Sequence, residues 1–327
     1  MSENLLQIKN LSIEFRTFDG VVKAINNLNL ELPKGKTIGL VGETGAGKTT
    51  TALAIMGLIP NPPGVITSGE ILFEGKDLLK AGKKELQEYR GNKIAMIFQN
   101  PMTSLNPVYT VGHQIAGVIM QHQNLSKSEA MEKAGEMLEI VGIPKERLKN
   151  YPHEFSGGMK QRVCIAMGLA CNPSLLIADE PTTALDVTIQ AQILDLMKGL
   201  KEKYQTSTIF ITHALGVVAD IADYVAVIYA GSVIEYGDLK SIFTQPAHPY
   251  TKGLFGCIPD IESEDSQRLY VIRGAMPDPT RLPEGCKFCK RCDYAMEICS
   301  QKEPDEIKIG DNHTVRCHLY AGGVENA

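Results

Sequence analysis

The stretch Gly42-Glu43-Thr44-Gly45-Ala46-Gly47-Lys48-Thr49 follows the spacing G-x-x-x-x-G-K-T, in which glycines let a loop wrap until its backbone N–H groups point inward. A helix that begins where such a loop ends adds the positive end of its dipole, so the nest suits an oligophosphate. In that arrangement Lys48 reaches the β and γ oxygens, the Thr49 hydroxyl takes one Mg2+ position, and Thr50 extends the helix start. A second feature, Ser174 to Pro181, is an apolar run that ends in Asp179 and Glu180. Adjacent carboxylates at a strand end can divide two tasks: Asp179 orients Mg2+ and its water, and Glu180 takes the proton of an attacking water as general base. Together the two segments imply metal-assisted attack of water on a bound phosphate chain.

These groups need a scaffold that brings them together. Thr37 to Val41 is a short apolar run ahead of the loop, and Thr50 to Leu58 has helical spacing behind it, which gives a strand–loop–helix unit. Lys93 to Gln99, Ser174 to Asp179, Ser207 to Thr212 and Tyr224 to Ile228 are short runs rich in Ile, Val, Leu or Ala, separated by helix-length segments. Buried parallel strands have this texture. Leu5 to Phe15 and Lys23 to Leu32 instead alternate apolar and polar positions and predict antiparallel strands with one solvated face. From Pro101 to Pro152 strand signals stop, and Ser126 to Val141 predicts an amphipathic helix capped by Ser126, with Glu129 three residues on. A helical insertion into an α/β core is the economical reading.

The chain has 327 residues and is 43% hydrophobic, enough for a large core and about two domains. With 33 Lys+Arg against 38 Asp+Glu, the formal net charge is -5, which argues against a general nucleic-acid binder. The longest uncharged stretches, Thr49 to Gly69 and Asn100 to Ser126, are broken by Pro, Gly, Asn and Gln and predict no bilayer span. The first ten residues, MSENLLQIKN, lack the apolar run of a secretory signal.

Phe155-Ser156-Gly157-Gly158-Met159-Lys160-Gln161 resembles the signature motif of ATP-binding cassette (ABC) ATPases. Further motifs of that family occur in order: Gln99 after a strand, Asp179-Glu180, Ala184-Leu185-Asp186, and His213 at the end of the next strand. The resemblance implies an α/β fold: a P-loop NTPase core of ABC type over residues 1–250, an antiparallel β subdomain, a helical insertion at about 101–165, and a small Cys-rich C-terminal module over 251–327. It also implies that the substrate is ATP with Mg2+. Gln99 would sense the metal and the attacking water, His213 would contact the γ-phosphate, and Asp186 would lie at a dimer seam. Ser156, Gly157 and Gly158 form a second anion-binding helix start, which in this family completes the site of an opposing subunit, identical or paralogous, in a head-to-tail dimer. For the adenine, the family often stacks an aromatic from upstream of the loop; Phe18 is the nearest candidate, with Phe15 competing.

Phe98 to Pro107 and Pro246 to Leu254, the latter followed by Cys257-Ile258-Pro259, look like the ATPase subunits of peptide importers. That implies ATP hydrolysis driving dipeptide or oligopeptide uptake, with two membrane permease subunits, an extracytoplasmic peptide-binding protein acting indirectly, no nucleic-acid partner, and a peripheral position on the cytoplasmic side of the cell membrane. A nickel or other-solute importer ATPase, and a soluble ABC ATPase acting on nucleic acid or ribosomes, are the alternatives. Asn100 to Ser126 contains no Asp, Glu, Lys or Arg yet includes Met102, Leu105, Pro107, Val108 and Tyr109. Uncharged apolar surface in a loop-rich region suits a contact, so it is expected to receive a helix of the permease, with a charge at Leu105 uncoupling transport.

Five of the 8 cysteines, Cys286, Cys289, Cys292, Cys299 and Cys317, crowd the C-terminal stretch. In a reducing compartment such clustering suggests a metal site before disulfides, and clustered thiolates select Zn2+ or iron–sulfur. By resemblance to peptide-importer tails, the ligands are Cys286, Cys292, Cys299 and Cys317 around a 4Fe-4S cluster, with Zn2+ as the alternative. The run Cys286-x-x-Cys289-x-x-Cys292 would instead recruit Cys289. Cys164 and Cys171, on a predicted helix, read as buried small apolar residues.

Overall fold

The structure, a computed structural model, describes residues 4–183, 185–257 and 271–321. Ala184 and the pair Ile258-Pro259, both parts of motifs singled out above, lie outside the described residues.

Two sheets organise the chain. In the first, β1 (Asn4–Thr17) pairs antiparallel with β2 (Gly20–Pro33) and with β4 (Gly64–Phe73), and β5 (Lys76–Asp77) closes the order β2-β1-β4-β5. The predicted alternation of β1 and β2 is present, and β1 runs through bulges where its register shifts. Gly69 in β4 faces one of them at φ +105°, and a Cβ there would lie 2.5 Å from Leu11 Cα. Only glycine fits so close a crossing.

The second sheet has the order β11-β12-β10-β9-β3-β8-β7-β6. Its centre is parallel: β3 (Thr37–Val41) lies between β9 (Tyr224–Tyr229) and β8 (Ser207–Thr212), followed by β7 (Leu175–Asp179) and β6 (Ile94–Ile97). Every residue of β3, β7 and β8 is buried. Along β7 and β8 successive residues feed different cores: Leu175, Ile177, Ile209 and Ile211 join the cluster shared with the first sheet, whereas Leu176, Ala178 and Phe210 join the helical cluster. Both faces are covered, which is why these strands read as continuous apolar runs.

The helices α1 (Lys48–Ile55) and α2 (Lys83–Tyr89) flank the first sheet, and α3 (Pro101–Ser104), α4 (Val111–His122), α5 (Lys127–Ile140) and α6 (Gly157–Leu169) make the predicted helical region. The Ser126–Glu129 capping box is formed at the start of α5. Next, α7 (Val187–Tyr204) and α8 (Leu215–Ile221) connect the parallel strands. Cys164 and Cys171 are buried as expected, and burial pushes the Cys164 thiol up to about 12.

Beyond β10 (Ser232–Asp238), the helices α9 (Leu239–Thr244), α10 (Pro249–Gly256) and α11 (Glu297–Gln301) and the strands β11 (Ile307–Gly310) and β12 (His313–Val315) complete the described chain. β12 pairs with β10, so the tail extends the main sheet. Buried Glu235 ties the join: it accepts hydrogen bonds from Ala247 N (2.7 Å) and His248 N (2.8 Å) and pairs with His313 Nε2 (2.8 Å).

The expected iron–sulfur or zinc centre is overturned here. Among the described residues no group of three or more His, Cys, Asp or Glu is placed to hold a metal ion, and all five tail cysteines are described and free. Cys286 and Cys292 pack into a core with Tyr229, Tyr250 and Phe288, and Cys317 into a smaller one with Ala247, Val315 and Tyr320. Burial raises the Cys286 and Cys317 thiols to about 11 and also raises Cys292, so in this structure they are protonated at neutral pH. Apolar packing and the strands added to the main sheet hold the described part of the tail.

Candidate functional site

The loop Gly42 to Thr49 leaves β3 and turns directly into α1. Gly42, Gly45 and Gly47 have φ of 155°, 82° and 107°. A Cβ on Gly42 would stand 2.2 Å from Ile228 O, and one on Gly47 2.9 Å from Ala24 O, so the wrap depends on bare backbone at both. Gly47 caps α1 with no side-chain hydrogen bond, which leaves the helix start open to an external acceptor. Lys48 is 5% exposed, and its Nζ donates to Gly42 O (2.7 Å) and Glu43 O (3.0 Å). Burial lowers its pKa, opposed by the charges of Glu180, Asp179 and Glu43.

The parallel sheet supplies the facing groups. The phosphate loop, Gln99 and His213 come after β3, β6 and β8, and Asp179-Glu180 straddles the end of β7, all adjacent strands in the sheet. Parallel strands share a direction, so their carboxyl ends, and the residues just beyond those ends, meet on one edge. Asp179 is 2% exposed, and its Oδ1 is buried without a hydrogen-bond partner. Desolvation raises its pKa against the pull of Thr49 and Lys48. A buried carboxylate oxygen with nothing to accept, beside the Thr49 hydroxyl, suits a hard divalent cation and its water.

Glu180 stands at φ 46°, its N–H held by Ile211 O (2.9 Å). Its Oε2 accepts from Gln99 Nε2 (2.9 Å) and Thr183 Oγ1 (2.9 Å), and its Oε1 lies 3.3 Å from His213 Nδ1. Burial pulls this carboxyl upward, but hydrogen bonds from Thr183, His213 and Gln99 outweigh it and leave it below the usual carboxylate range. Three residues singled out in sequence, Gln99, Glu180 and His213, therefore form one hydrogen-bonded set. With Lys48 and Thr49 they line a cleft of about 290 Å³.

The other sequence candidates fall in different places. Ser156 caps α6, accepting from Met159 N (3.4 Å), with Gly157 and Gly158 in its first turn, and this helix tip is not among the residues lining the cleft. Asp186 caps α7. Phe18 is fully exposed in the turn between β1 and β2 and does not line the cleft either, while Phe15 packs against the core of the first sheet. Leu105 is 3% exposed in the helical core, so the contact surface expected there shrinks to Met102, Pro107, Val108 and Tyr109, which are exposed. The spacing hides this, because Leu105 sits amid the exposed residues in sequence and differs only in direction.

Two contacts to the loop have no counterpart among the sequence candidates. Tyr250 Oη accepts from Glu43 N (3.0 Å), and Arg291 Nη1 donates to Glu43 Oε1 (2.9 Å) and Oε2 (3.2 Å). The signal for Tyr250 is the segment Pro246 to Leu254, in which His248 caps α10 and Pro249 opens it. Arg291 carries none.

Comparison with known proteins agrees with this geometry. Residues 25–183 match the ABC transporter family, and residues 234–299 match the family described as oligopeptide/dipeptide transporter, C-terminal region. The chain is 55% identical to the oligopeptide transport ATP-binding protein OppD of Bacillus subtilis over 96% of its own length and 88% of that protein's. It is 49% identical to the dipeptide transport ATP-binding protein DppD of the same organism over 99% and 97% of the two chains. Among solved structures it is similar to the dimeric post-hydrolysis state of the ATP-binding cassette MJ0796 bound to ADP and Pi, with a TM-score of 0.64, 27% identity, and 72% of this chain and 98% of that chain covered. With strand order, loop geometry and near full-length relatives in accord, the chain belongs to the ABC transporter family and carries the C-terminal region of its oligopeptide/dipeptide transporters.

Proposed function

We propose that the chain is the ATP-binding and ATP-hydrolysing subunit that powers import of dipeptides or oligopeptides. The observation that carries the reading is the set Gln99–Glu180–His213 assembled beside Lys48 and the unpartnered Asp179 oxygen. The loop from Gly42 to Thr50 binds the phosphates of ATP. Lys48 trades the carbonyls of Gly42 and Glu43 for the β and γ oxygens. Thr49, Asp179 and Gln99 hold Mg2+, which when bound offsets charge on those oxygens. Glu180, ionised at neutral pH, accepts the proton of the water that attacks the γ-phosphorus as the bond to the ADP oxygen breaks. Gln99 and His213 fix the Glu180 carboxylate, and His213 contacts the γ-phosphate.

Ser156, Gly157 and Gly158 complete the site of an opposing ABC subunit, identical or paralogous, in a head-to-tail dimer. The relation to the MJ0796 dimer supports this arrangement. The subunit acts peripherally at the cytoplasmic face of the membrane, on two permease subunits supplied by an extracytoplasmic binding protein, and no helix among the described residues is long and apolar enough to cross a membrane. Residues 1–250 act as the ATPase unit, with the insertion at about 101–165 and the stretch 251–327 attached. The exposed Met102, Val108 and Tyr109 form the permease contact.

The test is Glu180→Gln in the full chain. It keeps the hydrogen-bonding shape and removes the base, so turnover should fall by about 100-fold or more while ATP still binds and dimers accumulate. Undiminished turnover would reject the assignment of Glu180.

A further inference from the structure

The cleft has a wall that the phosphate chemistry does not use. Besides the loop and the catalytic set, it is lined by Val22, Ala24, Met276, Pro277, Pro279 and Leu282. Four of these six come from the far C-terminal part of the chain, more than 220 residues beyond the phosphate loop. The segment is pinned at both ends. Lys23 N on β2 donates to Pro279 O (2.9 Å), and Arg291 Nε donates to Arg273 O (3.0 Å). Between these ties, Asp278 Oδ1 accepts from Thr280 N (2.8 Å) and Thr280 Oγ1 (2.7 Å), which closes a local turn, and the flanking prolines restrict the backbone further. Met276 packs against two core clusters, and its methyl lies beside the loop: a Cβ added at Gly45 would be 3.5 Å from Met276 Cε.

The same segment is tied to the phosphate loop through charge. The Arg291 side chain is 7% exposed; its guanidinium grips both oxygens of Glu43, donates to Tyr229 Oη (3.2 Å) and lies over the Tyr229 and Phe288 rings. Both bonds to the carboxylate come from Nη1, while Nε holds Arg273 O, and charge-assisted hydrogen bonds of this kind are stronger than neutral ones. Met276 and its neighbours are thus held against the loop by a strut, not loosely draped.

We propose that residues 273–282 form a strap that builds the nucleobase side of the ATP site, with Met276 contacting the base and Arg291 acting as a positioning residue through Glu43. This rests on the ATP site described above. The chemistry of the two halves divides in the way a nucleotide does: a polar cradle for the phosphates and an apolar wall of Met, Pro, Leu, Val and Ala for a flat heterocycle. A thioether is polarizable and adapts to a ring face. Phe18 lies in an exposed turn, so the base is gripped from the C-terminal side of the chain. The oligopeptide/dipeptide C-terminal region thereby sets how tightly this cassette holds ATP.

The proposal is tested by equilibrium binding of two probes to the full chain: the β,γ-imido analogue of ATP with Mg2+, and inorganic tripolyphosphate with Mg2+, which lacks a base. Met276→Ala should weaken the ATP analogue by about five- to tenfold, as expected for loss of one buried apolar contact, and leave tripolyphosphate within about twofold. Arg291→Met should weaken the analogue similarly, and Arg291→Lys should recover part of the loss. Equal weakening of both probes by Met276→Ala would overturn the strap, since Met276 would then only prop the loop. Tighter analogue binding in Met276→Ala would also overturn it, since the segment would then be blocking the cleft. If the unaltered chain bound neither probe, the ATP-site reading itself would fall, a result distinct from either.

Discussion

His248 sits at the start of the C-terminal helix whose Tyr250 reaches the phosphate loop, and its burial makes the stability of the fold sensitive to acid. Its ring is 1% exposed at the N-terminus of α10, and Nδ1 accepts from Tyr250 N (3.0 Å). That bond needs a lone pair, so the ring is neutral in the folded chain. Burial lowers its pKa to about 4, with the Glu235 carboxylate opposing. The unfolded chain takes up a proton near pH 6.5 and the folded chain near 4, so between these values the unfolded state binds more protons and stability falls as pH falls. Integrating the difference from pH 7 to pH 5 gives about 2 kcal/mol lost at this residue alone. A comparison variant isolates the histidine from the other groups of the chain. His248→Asn keeps a side-chain acceptor suited to a helix start but does not titrate. Chemical denaturation of both proteins at pH 7 and pH 5 should show the variant losing about 2 kcal/mol less over that span. Because the folded ring stays neutral down to about pH 4, the contact in which Tyr250 Oη accepts from the phosphate-loop residue Glu43 should survive over this span. Parallel losses in the two proteins would refute a neutral buried His248.

Other substitutions separate core from surface and loop geometry from chemistry. Leu105→Glu places a charge in the helical core, where it should cost about 3–5 kcal/mol and lower the melting temperature sharply, with transport lost only because the fold is lost. Val108→Glu, at a side chain 70% exposed, should leave the melting temperature and the ATPase rate of the isolated subunit unchanged while reducing peptide uptake in reconstituted vesicles; unchanged uptake would remove Val108 from the permease contact. Gly42→Ala drives a methyl group onto Ile228 O, so nucleotide binding should be lost together with about 1–3 kcal/mol of stability, read by calorimetry and thermal melting.

Whether a feature is legible in the sequence depends on whether a residue's neighbours are near it along the chain. Strands β3, β6, β7, β8 and β9 are covered on both faces, which forces continuous apolar runs visible to inspection. The catalytic candidates lie at or just past the carboxyl ends of those strands, so each can be found among the first one or two polar residues that close an apolar run. β4 is hidden because its crossing with β1 demands Gly69 and places Thr67 and Ser68 on exposed backbone, which dilutes the strand signal. β11 and β12 are short and gain their order only by adding to β10. The cysteine tail misleads for a different reason: thiols spaced for a metal and thiols packed as small apolar residues look alike in one dimension, and only their placement in space, where no group of three or more among the described residues is set to hold a metal ion, separates them. Glu43 and Arg291 are 248 residues apart and belong to no shared motif, yet the pair fixes the C-terminal segment against the phosphate loop. A Gly-rich loop announces the half of a nucleotide site that binds phosphate, because backbone geometry constrains residue type there; the half that meets the base needs only apolar contact, which many residues supply, and so leaves no pattern to read.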